Sequence, residues 1–164
     1  MAANTLPIFP LTPDLGVMNA VLSTAMTNTK AFDGTDTAGT ALALVFTAGT
    51  DGSRIDTITV RLTSTNGATA SGTSSATLVR FWINNGSVNT TATNNQLMPW
   101  DVAIPATGVV ALDTSVLPSY NALTNSPMAG GMSLPGGYRI YAGTTVAAGG
   151  TNIGVLVSVQ AGDY

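Results

Sequence analysis

The chain has 164 residues, only 8% of them charged, a formal net charge of −3, and no histidine, cysteine or glutamate. The missing residue types carry most acid–base, thiol and zinc chemistry, so any catalysis would rest on eight Asp, five Lys and Arg, four Tyr or the hydroxyls. The charge balance argues against attraction to nucleic acid or anionic membrane, no stretch approaches the roughly 20 apolar residues of a membrane span, and disulfides are impossible, which leaves the redox compartment unreadable.

The N-terminus lacks the basic and apolar regions of a signal peptide, which predicts a product made and matured in the cytoplasm without a sorting tag. Pro7, Pro10 and Pro13 forbid regular helix and disfavour central strand. Residues 1–17 are therefore predicted as an extended arm, and residues 18–164 as one domain. Leu6, Ile8, Phe9 and Leu11 make the arm apolar, which fits docking on a neighbouring subunit; a disordered leader is the alternative.

Beyond the arm the periodicity is that of strands. A first strand is predicted near Asn19–Asn28 and a second at Leu42–Thr47. The turn-rich Ala48–Ser53 leads to the clearest strand, Arg54–Thr63, with Ile58, Val60 and Leu62 on one face and Thr57, Thr59 and Arg61 on the other. Leu78–Ile83 follows, ended by Asn84-Asn85-Gly86, a tight-turn signal. Gln96–Ile104 (broken at Pro99), Gly108–Asp113, Tyr138–Gly143 and Ile153–Gln160 complete about eight strands. Strong helix formers are scarce and β-branched residues abundant. The prediction is an all-β antiparallel sandwich, of jelly-roll type.

Thr63–Ala76 and Val88–Asn95 read as exposed polar loops. Pro118–Gly137 reads as a long loop, of a size that is usually functional or ordered by a partner. Tyr120, Met128, Met132 and Leu134, with Leu117 and Leu123, form a candidate interface patch there; covering an open end of the sandwich is the alternative.

Few residues offer chemistry. Asp33 and Asp36 share a Gly-containing loop, but without EF-hand spacing they read as ordinary Asx-turns. Ser and Thr lack an activating base, and no phosphate-binding loop is present. No catalytic, cofactor or metal site is expected, and the chain is predicted not to be an enzyme. Arg54, Arg61, Arg80 and Arg139 are expected to pair with Asp on neighbouring strands or across a subunit contact. Trp82, Trp100, Tyr138 and Tyr141 could form a sugar-stacking platform, although core or interface packing is the plainer expectation.

Three segments carry a family resemblance. Thr47-Ala48-Gly49-Thr50-Asp51-Gly52-Ser53-Arg54-Ile55-Asp56 resembles the "TAGANGSRVDRI" region of small virion proteins of tailed bacteriophages and prophages. Leu134-Pro135-Gly136-Gly137-Tyr138-Arg139-Ile140 and the closing Ala161-Gly162-Asp163-Tyr164 are similar to their "LPAGYxL…GGDY" tail. Ser23-Thr24-Ala25 through Asp33-Gly34-Thr35 resembles their "STANTxRDGTG" opening, from which Lys30 and Phe32 depart, and the stretches at 63–76 and 88–95 are longer than the family pattern.

Such proteins resemble the cement or decoration proteins of phage capsids. The resemblance implies a jelly-roll homo-oligomer, dimer or trimer, bound to the outer surface of a shell of major capsid protein and bridging capsomers. It implies a virion location after synthesis in the host cytoplasm, with no nucleic-acid or membrane partner. The competing expectations are a tail, neck or fibre-associated sandwich, and a carbohydrate-binding module for host attachment.

Overall fold

Alternating β-branched and polar positions build sheets here. The computed structural model describes residues 12–26, 42–65, 72–107, 118–124 and 129–164 (backbone alone for 12–20). Among them lie ten strands: β1 (Thr12–Leu22), β2 (Leu42–Thr47), β3 (Ser53–Ser64), β4 (Thr77–Asn84), β5 (Asn95–Leu97), β6 (Val102–Ile104), β7 (Ser119–Asn121), β8 (Met132–Leu134), β9 (Arg139–Thr144) and β10 (Ile153–Asp163). A short 3₁₀ turn covers Ala92–Asn94, and no α-helix occurs among the described residues.

The strands form two antiparallel sheets packed face to face, an all-β sandwich. One sheet runs β1-β10-β3, and the far edge of β3 pairs with β8 over Ser53–Ile55 and with β7 over Thr59–Arg61. The other runs β2-β9-β4, and the far edge of β4 pairs with β6 over Thr77–Val79 and with β5 over Trp82–Asn84.

The core fills the space between the sheets. Ile58, Val60 and Leu62 of β3 and Val155, Val157 and Val159 of β10 meet Val45, Phe46, Val79, Phe81 and Ile140 from the opposite sheet. Each such side chain contributes about 1.5–3 kcal/mol when fully buried. A bulge opposite Gln160 and Ala161 leaves Asp56 without a partner in the register. The extra residue reverses the in–out parity of the strand. Ile55 and Ile58, three apart, therefore both face inward, and Ser53 is carried inside with them.

Three expectations change. β1 starts at Thr12 and pairs with β10 from Asp163 backwards, so the sheet takes in residues 12–17 of the expected arm. Pro13 is tolerated because β1 is an edge strand. The expected Gln96–Ile104 strand is two strands, split around Pro99, each on its own half of β4. The stretch expected as a long loop at Pro118–Gly137 contains β7 and β8; strands of three residues carry too little periodicity to read. Leu6, Ile8, Phe9, Leu11, Met128 and the predicted strand Gly108–Asp113 lie outside the described residues.

Trp82 is 0% exposed although it lies on the face of β4 opposite Val79 and Phe81. It packs with Met26, Leu42 and Tyr141 in a second apolar cluster, on the outer side of its sheet. The segment after β1 is fastened over this face, with Met26 N–H donating to Thr144 O at 2.9 Å and Thr144 Oγ1 to Thr24 O at 2.9 Å. From the other side, Asn89 Nδ2 donates to the Tyr141 hydroxyl at 3.3 Å. Trp82→Ala is expected to cost about 3–5 kcal/mol in urea denaturation, as for a core aromatic; a loss below about 1 kcal/mol would mean that the outer cluster adds little stability.

Candidate functional site

Three stretches far apart in sequence meet at one end of the sandwich: the β2–β3 turn Ala48–Ser53, the β8–β9 turn Leu134–Tyr138, and Asp163–Tyr164 at the end of β10. Ser53, fully buried, donates its hydroxyl to Asp163 Oδ1 and accepts the Gly49 N–H at 2.9 Å. Gly49 N–H also reaches Asp163 Oδ1, at 3.4 Å. Tyr164 N–H donates to Gly52 O at 3.1 Å, and the Tyr164 and Ser133 hydroxyls are 3.0 Å apart. Ala48 N–H donates to Tyr138 O at 2.8 Å, and Gly137 N–H is shared between the carbonyls of Ala48 and Gly49, both at 3.3 Å.

Glycine is required where these turns cross. A side chain on Gly136 would collide with the Thr50 carbonyl, and Gly52 sits at φ +102°, where a side chain would press on Leu134 O. The Ser53 hydroxyl is engaged on both sides, its proton with Asp163 and its oxygen with Gly49. The corner acts as a lock on the ends of β2, β3, β8, β9 and β10. Asp163→Ala strips acceptors from a buried hydroxyl and a backbone N–H, and should destabilise by about 1–3 kcal/mol. Chemical denaturation would measure the loss, and hydrogen exchange should quicken first at Gly49 and Tyr164; uniform quickening across the sandwich would contradict a local lock.

Of the predicted interface residues, Met132 and Leu134 prove to be core. They are 5% and 4% exposed, because alternation along β8 turns both inward and leaves Ser133 outside. Leu123 is likewise buried. Tyr120 packs against the core yet stays partly exposed. Of the four aromatics, for which core or interface packing is the plainer expectation, Trp82 and Tyr141 are buried, and Tyr138 and Trp100 are partly buried against the core.

Trp100 and Tyr120 line a cleft of about 450 Å³ where β6 of one sheet faces β7 of the other. Asp101, Ser119, Asn121 and Thr124 supply its polar groups. Arg80 Nε holds Asp101 Oδ2 at 3.1 Å. Asn121 Oδ1 accepts the Leu123 N–H at 2.9 Å, which orients its amide. The Trp100 indole N–H is buried without an acceptor among the described residues.

The other arginines are spread out. Arg54 pairs with Asp56 at 3.1 Å, both exposed, and donates to Gly130 O at 2.8 Å. Arg139 Nη1 reaches Ser87 O at 3.4 Å. Arg61 is exposed opposite Leu156, with Thr59, Thr63 and Ser158 beside it on the outer face of its sheet. On the opposite sheet, Leu78 and Val146, 36% and 46% exposed, border an apolar groove of about 320 Å³ with Ala103 and Pro105.

Among the described residues no three acidic side chains come together as a metal site, and no helix is long and apolar enough to cross a membrane; Asp33 and Asp36 lie outside those residues. Comparison with protein-family models, curated proteins and solved structures gives no match.

Proposed function

We propose that this chain is a cement or decoration protein of a tailed-phage capsid, bound to the outer surface of the major capsid protein shell. The observation that carries the reading is the locked corner. The Thr47–Asp56 motif, the Leu134–Ile140 motif and the Ala161–Tyr164 motif, on which the phage resemblance rests, interlock there through side-chain and backbone bonds. Motifs that fit one another in space form a structural unit, which separate chance likenesses have no reason to do.

The strand order supports the jelly-roll reading. Leaving aside the short edge strands, the chain passes from one sheet to the other between β1, β2, β3 and β4, and again between β9 and β10, as in a sandwich wound from folded-over hairpins. A face rich in Thr, on which the charges are Arg61 and the paired Arg54 and Asp56, suits lateral packing against other subunits, since limited ionic hydration is lost on contact. The apolar groove at Leu78 and Val146 suits the same use. Each copy, as a dimer or trimer, would bridge neighbouring capsomers, and avidity over many copies would stiffen the shell. The reading assigns the chain no reaction.

The test is binding to purified shells of the major capsid protein. Saturation should require on the order of hundreds of copies per particle, whereas about six or twelve would indicate a portal-proximal ring and sink the cement reading. Deleting residues 2–11, which spares the β1 pairing that begins at Thr12, should weaken shell binding at least tenfold, about 1.4 kcal/mol, with unchanged melting. Equal affinity with and without the segment would remove the arm from the mechanism.

A further inference from the structure

We propose that the cleft between β6 and β7 is a binding site for a short neutral saccharide. The inference goes beyond shell attachment and does not depend on it. Two aromatic side chains from opposite sheets, Trp100 and Tyr120, pack against the core and remain partly exposed at the cleft. Rings supported in this way offer flat apolar surface to the C–H face of a pyranose with little loss of side-chain entropy.

The polar groups beside the rings are held in place. Arg80 anchors one oxygen of Asp101 and leaves Oδ1 to accept from a ligand hydroxyl. The Leu123 N–H anchors Asn121 through Oδ1, which presents Nδ2 as a donor. A preset acceptor on one side of the cleft and a preset donor on the other flank aromatic surface, and each can take a separate hydroxyl of a sugar. Ser119 and Thr124, both exposed, add hydroxyls that can donate or accept.

The size agrees. The cleft of about 450 Å³ has room for one to two sugar units, and a second depression of about 300 Å³ shares Trp100 and Asp101 with it. Arg80 is already paired with Asp101, so the site carries no uncommitted charge pair that would demand an acidic sugar. A neutral hexose or N-acetylhexosamine is the favoured class. A small turn of the indole toward a ligand oxygen would also give the Trp100 N–H an acceptor, which it lacks among the described residues.

The test uses the full chain, labelled with nitrogen-15 and titrated with methyl glycosides of glucose, galactose, mannose and N-acetylglucosamine, with glycerol as control. The chain has two tryptophans, and fully buried Trp82 serves as an internal reference. With at least one glycoside, the Trp100 indole signal and the Asn121 and Thr124 amides should shift saturably in the millimolar range, while the Trp82 indole stays still. Asn121→Ala should weaken that binding about tenfold, the loss of one hydrogen bond to the ligand. Should that variant misfold, Thr124→Val and Asp101→Asn serve instead, with weakening expected in both. Absence of saturable shifts with all four glycosides, equal shifts with glycerol, or saturable shifts unchanged in the folded variants would overturn the proposal.

Discussion

One acceptor atom, Asp163 Oδ1, lies where the end of β10 meets the turn that joins the two sheets. Ser53 is buried there, and its hydroxyl donates to that atom. A buried polar group left unmatched costs more than the bond itself contributes, so the contact selects one register. Sliding β10 by one residue against β3 would carry Asp163 away from Ser53 and invert every inward valine of the strand. The β8–β9 turn is then held against the same corner through the carbonyls of Ala48 and Gly49. Polar and apolar constraints thus specify the same pairing, as expected of a sequence with a single folded state.

The outer surfaces divide the labour differently. One sheet has its Trp82 end covered by the chain's own Ser23–Met26 segment, and at its other end an apolar groove stays open. The other sheet shows a Thr-rich face that also carries Arg61 opposite Leu156 and the exposed pair Arg54 and Asp56. The asparagines near the Trp82 end explain part of the odd composition. Asn84 Nδ2 donates to Asn95 Oδ1 at 2.7 Å, and Asn95 Nδ2 to Asn89 O at 2.7 Å, stitching an irregular loop without any ion pair. A chain so poor in charge obtains its loop order from amides and hydroxyls.

The long strands are legible because alternation over many residues outweighs noise. Leu42–Thr47 is a strand with the bounds that its sequence predicts, and the inward sets of β3 and β10 follow their β-branched positions. Short and composite features are not. Ser-Tyr-Asn and Met-Ser-Leu become β7 and β8 only because β3 offers them an open edge, a tertiary effect invisible in a window of three residues. Met132 and Leu134 read as interface residues for the same reason, since hydrophobicity alone does not say which apolar surface will receive it. The Ser53–Asp163 contact spans most of the chain, and only the family likeness hints that its two motifs belong together. Trp100 and Tyr120 each stand out in the sequence, but for different roles, because only the packing of the two sheets sets them around one cleft.

The position of β10 has a kinetic side. It lies between β1 and β3, both of which emerge from the ribosome earlier. Until β10 arrives, each of those strands waits with an unpaired edge and an uncovered apolar face. A nascent chain in that state is open to the matching strand of a sister chain, against which its own tethered β10 has the advantage of effective concentration. Late arrival of the central strand therefore makes closure of the sheet the last step of synthesis, and rapid self-closure is what keeps the edges of β1 and β3 from other chains.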